Sequence, residues 1–240
     1  MGNAYIVDAC RTPRGIGKVG KGALAHLHPS YLGSTVLAAM AERNNLNTAE
    51  VDDIIWGTSS QTGKQGGDLG RMAALNAGYD VRSSGVTLDR FCGSGITTVN
   101  LAAAQIMSGM EDLVIAGGTE MMSYHGQIAD PSQPPMIDSG NLELRAMHPQ
   151  SQQGVCADAI ATLEAIDRDA VDDLALVSQA RAAQAIAEGR FDKSLITVKN
   201  PDGTVALDHE EFPRPETTKE GLSELKTVFS VVRDLSLIHI

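Results

Sequence analysis

A lone cysteine, Cys92, stands where a β-rich run gives way to a helix-forming one, in the stretch Asp89-Arg-Phe-Cys-Gly-Ser-Gly-Ile-Thr-Thr98. No side chain from Phe91 to Met110 is charged. A cysteine at a helix start lies over unpaired amide N–H groups at the positive end of the helix dipole. There a thiolate is favoured, and the same amides can hold a developing oxyanion. Gly93 and Gly95 beside it let the backbone turn sharply and come close to a ligand or a neighbouring segment. The chemistry this permits is nucleophilic attack with a covalent intermediate on sulfur. From position and glycine flanks alone, the commoner fate of a cysteine stays open: a small buried hydrophobe.

The other polar groups offer less. Gly15, Gly17, Gly20 and Gly22 with Lys18 and Lys21 make a basic, glycine-rich loop that could meet phosphates, but it lacks the Gly-Lys-Ser/Thr ending of a phosphate loop and reads as surface. His26 and His28 have no ligand-like companions. Three widely separated cysteines form neither a disulfide framework nor a CxxC metal site, so no metal is expected and a reducing compartment fits. Cys10 and Cys156 read as packing residues. The formal net charge of −11 opposes nucleic acid or an anionic membrane as partner, so an anionic ligand would need a local basic patch. The N-terminus has no basic region leading into a long apolar core, and a cytoplasmic location is expected.

The elements that must position Cys92 follow from hydrophobic period. Ser94 to Met107 is apolar all round a 3.6-residue wheel and predicts a buried helix, too short for a membrane span of roughly twenty residues. Before it come a buried strand over Ala4 to Val7, a helix from Pro29 to about Arg43, a strand within Val51 to Thr58, a short helix over Leu69 to Ala77 and a strand over Gly85 to Leu88. After it, Leu113 to Glu120 is a fourth strand, whose Gly117-Gly118 marks a close backbone approach. Strands alternating with helices predict an α/β fold with a mostly parallel βαβαβαβ sheet over residues 1–120. One sheet cannot cover a helix that is apolar all round, so a second layer is expected on its far side. From Met121 prolines and glycines replace periodicity, and residues 121–228 read as an inserted α+β loop domain. Within it Asp167 caps a long helix to about Glu188, and two short strands, over Leu195 to Val198 and Val205 to Asp208, flank the turn Asn200-Pro-Asp-Gly203.

With these pieces in view the chain resembles the thiolases, acetyl-CoA C-acyltransferases. The matching runs are Arg11-Thr-Pro13, Arg71-Met-Ala-Ala74, Phe91-Cys-Gly-Ser-Gly95, Val114-Ile-Ala-Gly-Gly-Thr-Glu-Met-Met-Ser123, Ser178-Gln-Ala-Arg-Ala-Ala183 and Glu188-Gly-Arg-Phe191. The resemblance implies a thiolase-like layered fold. It also implies that Cys92 takes an acyl group from acyl-CoA and passes it to the carbanion of a second acyl-CoA, or runs the reverse. No permanently bound cofactor is implied; CoA thioesters are substrates. The loop domain would grip CoA, with Arg214 at the nucleotide end and His148 near the pantetheine. Homodimers or homotetramers are implied, through the strand before Cys92 and the Gln61 to Asp68 loop.

The departures carry their own expectations. The histidine that activates the nucleophile, the second acid–base cysteine and the remaining oxyanion donors come, in the family, from a second half for which this chain has no counterpart. Residues 229–240 depart from the family pattern, and a truncated chain, inactive alone, is the expectation. Two other readings remain: a relative on the same fold acting as a ketoacyl synthase or a non-catalytic lipid carrier, and a cysteine hydrolase using a local histidine.

Overall fold

The computed structural model describes residues 2–129 and 138–228. The proline-rich start of the expected loop domain and the tail at 229–240 lie outside them. The chain forms two compact units, residues 1–128 with 191–212, and 129–190 with 213–240.

The first unit is α/β. Helix α1 (Pro29–Arg43) starts with proline in its first turn, where the missing N–H has no partner to lose, and His28 caps it by accepting from Ser30 N. Strand β1 (Asp53–Gly57), helix α2 (Leu69–Asn76), strand β2 (Val86–Leu88), helix α3 (Ser94–Ser108), strand β3 (Val114–Gly118) and helix α4 (Met122–Ile128) follow. The three strands form a parallel sheet in the order β2-β1-β3, with Ile55 opposite Val86 on one side and Ala116 on the other. The core packs α1 and α2 on this sheet through Leu37, Ile54, Trp56, Leu69, Ala73 and Tyr79. A Cβ on Gly117 would come within 2.3 Å of the Trp56 ring, so the close approach expected at this glycine is to the core indole. Trp56 Nε1 donates to Thr119 Oγ1 at 3.0 Å, which satisfies its one polar group.

The expected first strand is corrected. Ala4 to Val7 forms no strand, and Tyr5, Ile6 and Val7 are about four-fifths exposed. The run has strand composition but makes no ladder bonds to any described residue, and without a neighbouring edge an apolar run has nothing to pair with. The chain is gripped only later, where Arg11 N donates to Ser194 O at 2.8 Å and Ile196 N to Arg11 O at 3.0 Å.

Helix α3, apolar all round in sequence, is buried along one face among the described residues. Ser94, Thr98 and Ala102 form its buried stripe against the sheet, while Ile96, Val99, Leu101 and Met107 are exposed. Among the described residues one layer covers the helix, and the second layer that its sequence calls for is not among them.

Strands β4 (Val198–Lys199) and β5 (Val205–Leu207) pair antiparallel about the expected turn. Sequence grouped this hairpin with the loop domain; in the structure it belongs to the first unit, because Val198 and Leu207 bury against Leu24, Leu27 and Leu32.

The described part of the second unit is helical: α5 (Leu142–Met147), α6 (Gln153–Leu163), α7 (Arg168–Ala187) and α8 (Lys219–Ser223). Asp167 caps α7 as expected, accepting from Ala170 N at 2.8 Å. Asp138 holds Arg145 in a two-pronged ion pair at 2.6 and 2.7 Å, which draws its carboxyl down to about 2.

Candidate active site

In a parallel sheet every strand delivers its carboxyl end to the same edge, and ligands gather there. Here that edge carries Thr58 after β1, Asp89 to Cys92 after β2 and Thr119-Glu120 after β3. Thr58 N donates to Leu88 O at 3.1 Å and Thr119 N to Gly57 O at 3.0 Å, so the ladder runs on into these loops.

Cys92 is exposed and lies immediately before Gly93, the N-cap residue of α3. The sharp turn expected of the flanking glycines is taken instead by Phe91, at φ +48°, while Gly93 has φ −87°. A bulky residue in the left-handed region is a rarity that costs about 1–3 kcal/mol, and such strain collects at functional positions. The turn is closed by Gly93 N to Arg90 O at 3.0 Å and Ser94 N to Phe91 O at 3.1 Å. The Ser94 hydroxyl, buried beneath it, accepts from Arg90 N at 2.8 Å and donates to Phe91 O at 2.7 Å. Gly57 makes room for this arrangement, since a Cβ there would stand 2.9 Å from Ser94 Cβ.

A second polar cluster sits at the same edge. Glu120 accepts from Ser59 N at 2.6 Å and from Gln65 Nε2 at 3.0 Å, and His125 Nε2 lies 2.6 Å from its Oε1. The Gln65 side chain, wholly buried, also donates to Thr58 Oγ1 at 2.8 Å and accepts from Met121 N at 2.8 Å. Burial raises the Glu120 pKa, but the hydrogen bonds from Ser59, Gln65 and His125 outweigh it, and the carboxyl ends below its ordinary value. The loop from Gln61 to Asp68 was expected to join copies of the chain; one use is visible inside the fold, where Gln65 ties it to the end of β3. A cleft of about 390 Å³ runs beside Glu120 to Ser123, walled by Arg14 to Gly17, Leu24, Leu32 and Phe212.

The remaining expected residues divide between the units. Cys10 is half-buried with its thiol pushed up by burial, in keeping with packing. Cys156 is exposed on α6 and does not pack as expected. Arg214 and His148 both belong to the second unit. Arg214 is exposed; its amide donates to Gln179 Oε1 at 2.7 Å, while its guanidinium makes no hydrogen bond or ion pair with a described residue. His148 is exposed at the C-cap of α5, its amide bonded to Leu144 O at 2.8 Å. Sequence reasoning missed Ser94, Gln65 and Glu120 as parts of the edge, though two of them fall within quoted runs. Among the described residues no helix is long and apolar enough to cross a membrane, and no cluster of His, Cys, Asp and Glu could hold a metal ion.

These features define an α/β domain with a parallel sheet and a solvent-facing thiol on a strained turn at its carboxyl edge. Comparison with known proteins narrows the class. Residues 4–232 match the family model of the thiolase N-terminal domain. The chain is 37% identical over 244 residues to a beta-ketoadipyl-CoA thiolase of Acinetobacter baylyi, covering 95% of this chain and 60% of the relative. It is 35% identical to a 3-ketoacyl-CoA thiolase of Vibrio vulnificus, covering 95% and 58%, and 33% identical to one of Colwellia psychrerythraea, covering 97% and 59%. The chain belongs to the thiolase family, and it spans about three fifths of the length of these relatives.

Proposed function

We propose that the protein is an acyl-CoA C-acyltransferase that forms or cleaves 3-ketoacyl-CoA through an acyl group carried on Cys92. In the forming direction the Cys92 thiolate adds to the thioester carbonyl of one acyl-CoA. The tetrahedral adduct collapses with loss of CoA thiolate, leaving a thioester on Cys92. A second acyl-CoA gives up an α-proton, and its carbanion attacks the acyl-cysteine, forming a carbon–carbon bond and returning the Cys92 thiolate. The Cys92 amide would donate to the oxyanion at each addition.

The observation that carries this reading is the exposed Cys92 thiol on the Phe91 turn, at the sheet edge of a chain that belongs to the thiolase family. No side-chain base is hydrogen-bonded to its sulfur among the described residues, so in this reading the proton acceptors are not among them. The helical second unit would hold CoA, with Arg214 meeting its phosphates and His148 its pantetheine arm; an exposed guanidinium with no acidic partner among the described residues suits an anion on an otherwise acidic chain. Dimers would form through β2, which lies at an edge of the sheet.

Thiolysis of acetoacetyl-CoA by the protein expressed from its complete reading frame tests the reading. Activity abolished by Cys92→Ala is expected. Undiminished activity in that variant, or hydrolysis of acyl-CoA with no transfer to a second CoA species, would overturn it.

A further inference from the structure

The Cys92 turn is held in a conformation that its own residues do not favour. Phe91, an exposed aromatic, stands at φ +48°, where a side chain with a Cβ is strained. The Gly93 amide closes the turn onto Arg90 O at 3.0 Å and Asp89 Oδ1 accepts from the Phe91 amide at 2.7 Å, but the N-cap residue of α3 makes no side-chain capping bond. The buried side chain that binds the turn is one residue beyond Gly93. Ser94 Oγ takes the Arg90 amide at 2.8 Å and gives its proton to the Phe91 carbonyl at 2.7 Å, so a single hydroxyl closes both sides of the turn. It is positioned from below by contact with Gly57, at the end of β1, and is almost wholly buried. Without the hydroxyl the Arg90 amide loses its acceptor, and the turn is free to relax toward negative φ, carrying the thiol out of line with the α3 amides.

We propose that Ser94 is a positioning residue for Cys92, whose buried hydroxyl clamps the left-handed turn at Phe91 and so fixes the thiol over the start of α3. This rests on the reading of Cys92 as the nucleophile. Ser94 does not touch substrate in this account; it acts through the backbone of residues 90–92.

The chain carries its own reference for the test. Cys156 is an exposed thiol on α6 in the other unit, so the ratio of alkylation rates at Cys92 and Cys156 with iodoacetamide, mapped by peptide mass, reports the Cys92 setting alone. Ser94→Ala is expected to lower that ratio about tenfold or more, the size of loss that follows misplacement of a reacting group. Thr98→Ala is the matched control: its buried hydroxyl donates to Gly95 O at 2.8 Å on the same stripe of α3, away from the turn, and the ratio should stay within about twofold. In turnover by the complete protein, Ser94→Ala should lower kcat with KM little changed. An unchanged or raised ratio in Ser94→Ala, or an equal fall in Thr98→Ala, overturns the proposal. Should Ser94→Ala fail to fold, hydrogen exchange of the unmodified protein decides: the Arg90 amide should be protected like those of α3, and exchange at the rate of an open loop overturns the clamp. Iodoacetamide needs no acyl substrate, so failure of the acyl-transfer reading and failure of the clamp give different results.

Discussion

Tyr5-Ile6-Val7 and Ile54-Ile55-Trp56 are two apolar, strand-forming runs of nearly the same composition with opposite fates. The first is about 80% exposed and unpaired; the second is at most 1% exposed. What separates them is neighbours. Ile54 to Trp56 is flanked by β2 and β3 and covered by α1 and α2, whereas the first run has no ladder partner among the described residues. The two faces of α3 repeat the contrast within one helix, since Ser94, Thr98 and Ala102 meet the sheet and Ile96 and Leu101 meet solvent. Strand and helix propensity nominate a segment, and tertiary cover decides whether it is buried.

Truncation on each side should separate the two runs most sharply. Trp56→Ala removes a core indole and should cost about 3–5 kcal/mol, read as a fall in the urea midpoint, whereas Ile6→Ala should stay within about 0.5 kcal/mol. Comparable losses at both would mean that the first run is covered in solution. Gly57→Ala comes next. Its new methyl meets Ser94 Cβ at 2.9 Å, and such overpacking should cost about 1–3 kcal/mol and slow alkylation of Cys92.

The polar cluster behind the turn gives a smaller effect with a defined pH dependence. Glu120 has its folded-state pKa below its ordinary value of 4.5, so it binds a proton more readily in the unfolded chain. Its contribution is therefore complete above about pH 4.5 and is lost as pH falls through the lower folded value. Glu120→Gln should cost about 1.5 kcal/mol at neutral pH and should flatten the acid limb of the urea midpoint against pH. An acid limb unchanged in the variant would remove Glu120 from the account. Smallest is Asp167→Ala, which removes the α7 cap and should cost about 1 kcal/mol, confined to the second unit and visible as faster amide exchange at Ala170.

Much of this was legible in the sequence where the signal is local. Pro29 at a first turn, Asp167 at an N-cap, the β1 run and the change of period at Cys92 each mark an element through its own residues, and the structure has these elements. The first strand was not legible, because a ladder needs a partner that no local pattern encodes. Nor was the Phe91 turn, where the glycines on the other side of Cys92 drew the reading and a bulky aromatic takes the positive φ. Gln65 and Glu120 lie far apart in the chain and meet only across the sheet edge, so no spacing announces them. The β4-β5 hairpin was found as a hairpin, but its allegiance to the first unit depends on Val198 and Leu207 meeting Leu24 and Leu27, a contact between distant segments.

The central claim is that the acyl group rides on the sulfur of Cys92. Brief exposure of the protein from its complete reading frame to labelled acetyl-CoA, followed by acid quench and peptide mapping, should place one acetyl label on the peptide that carries Cys92, and none on those with Cys10 or Cys156. Label on another residue, or label that persists when Cys92 is replaced by alanine, would contradict it.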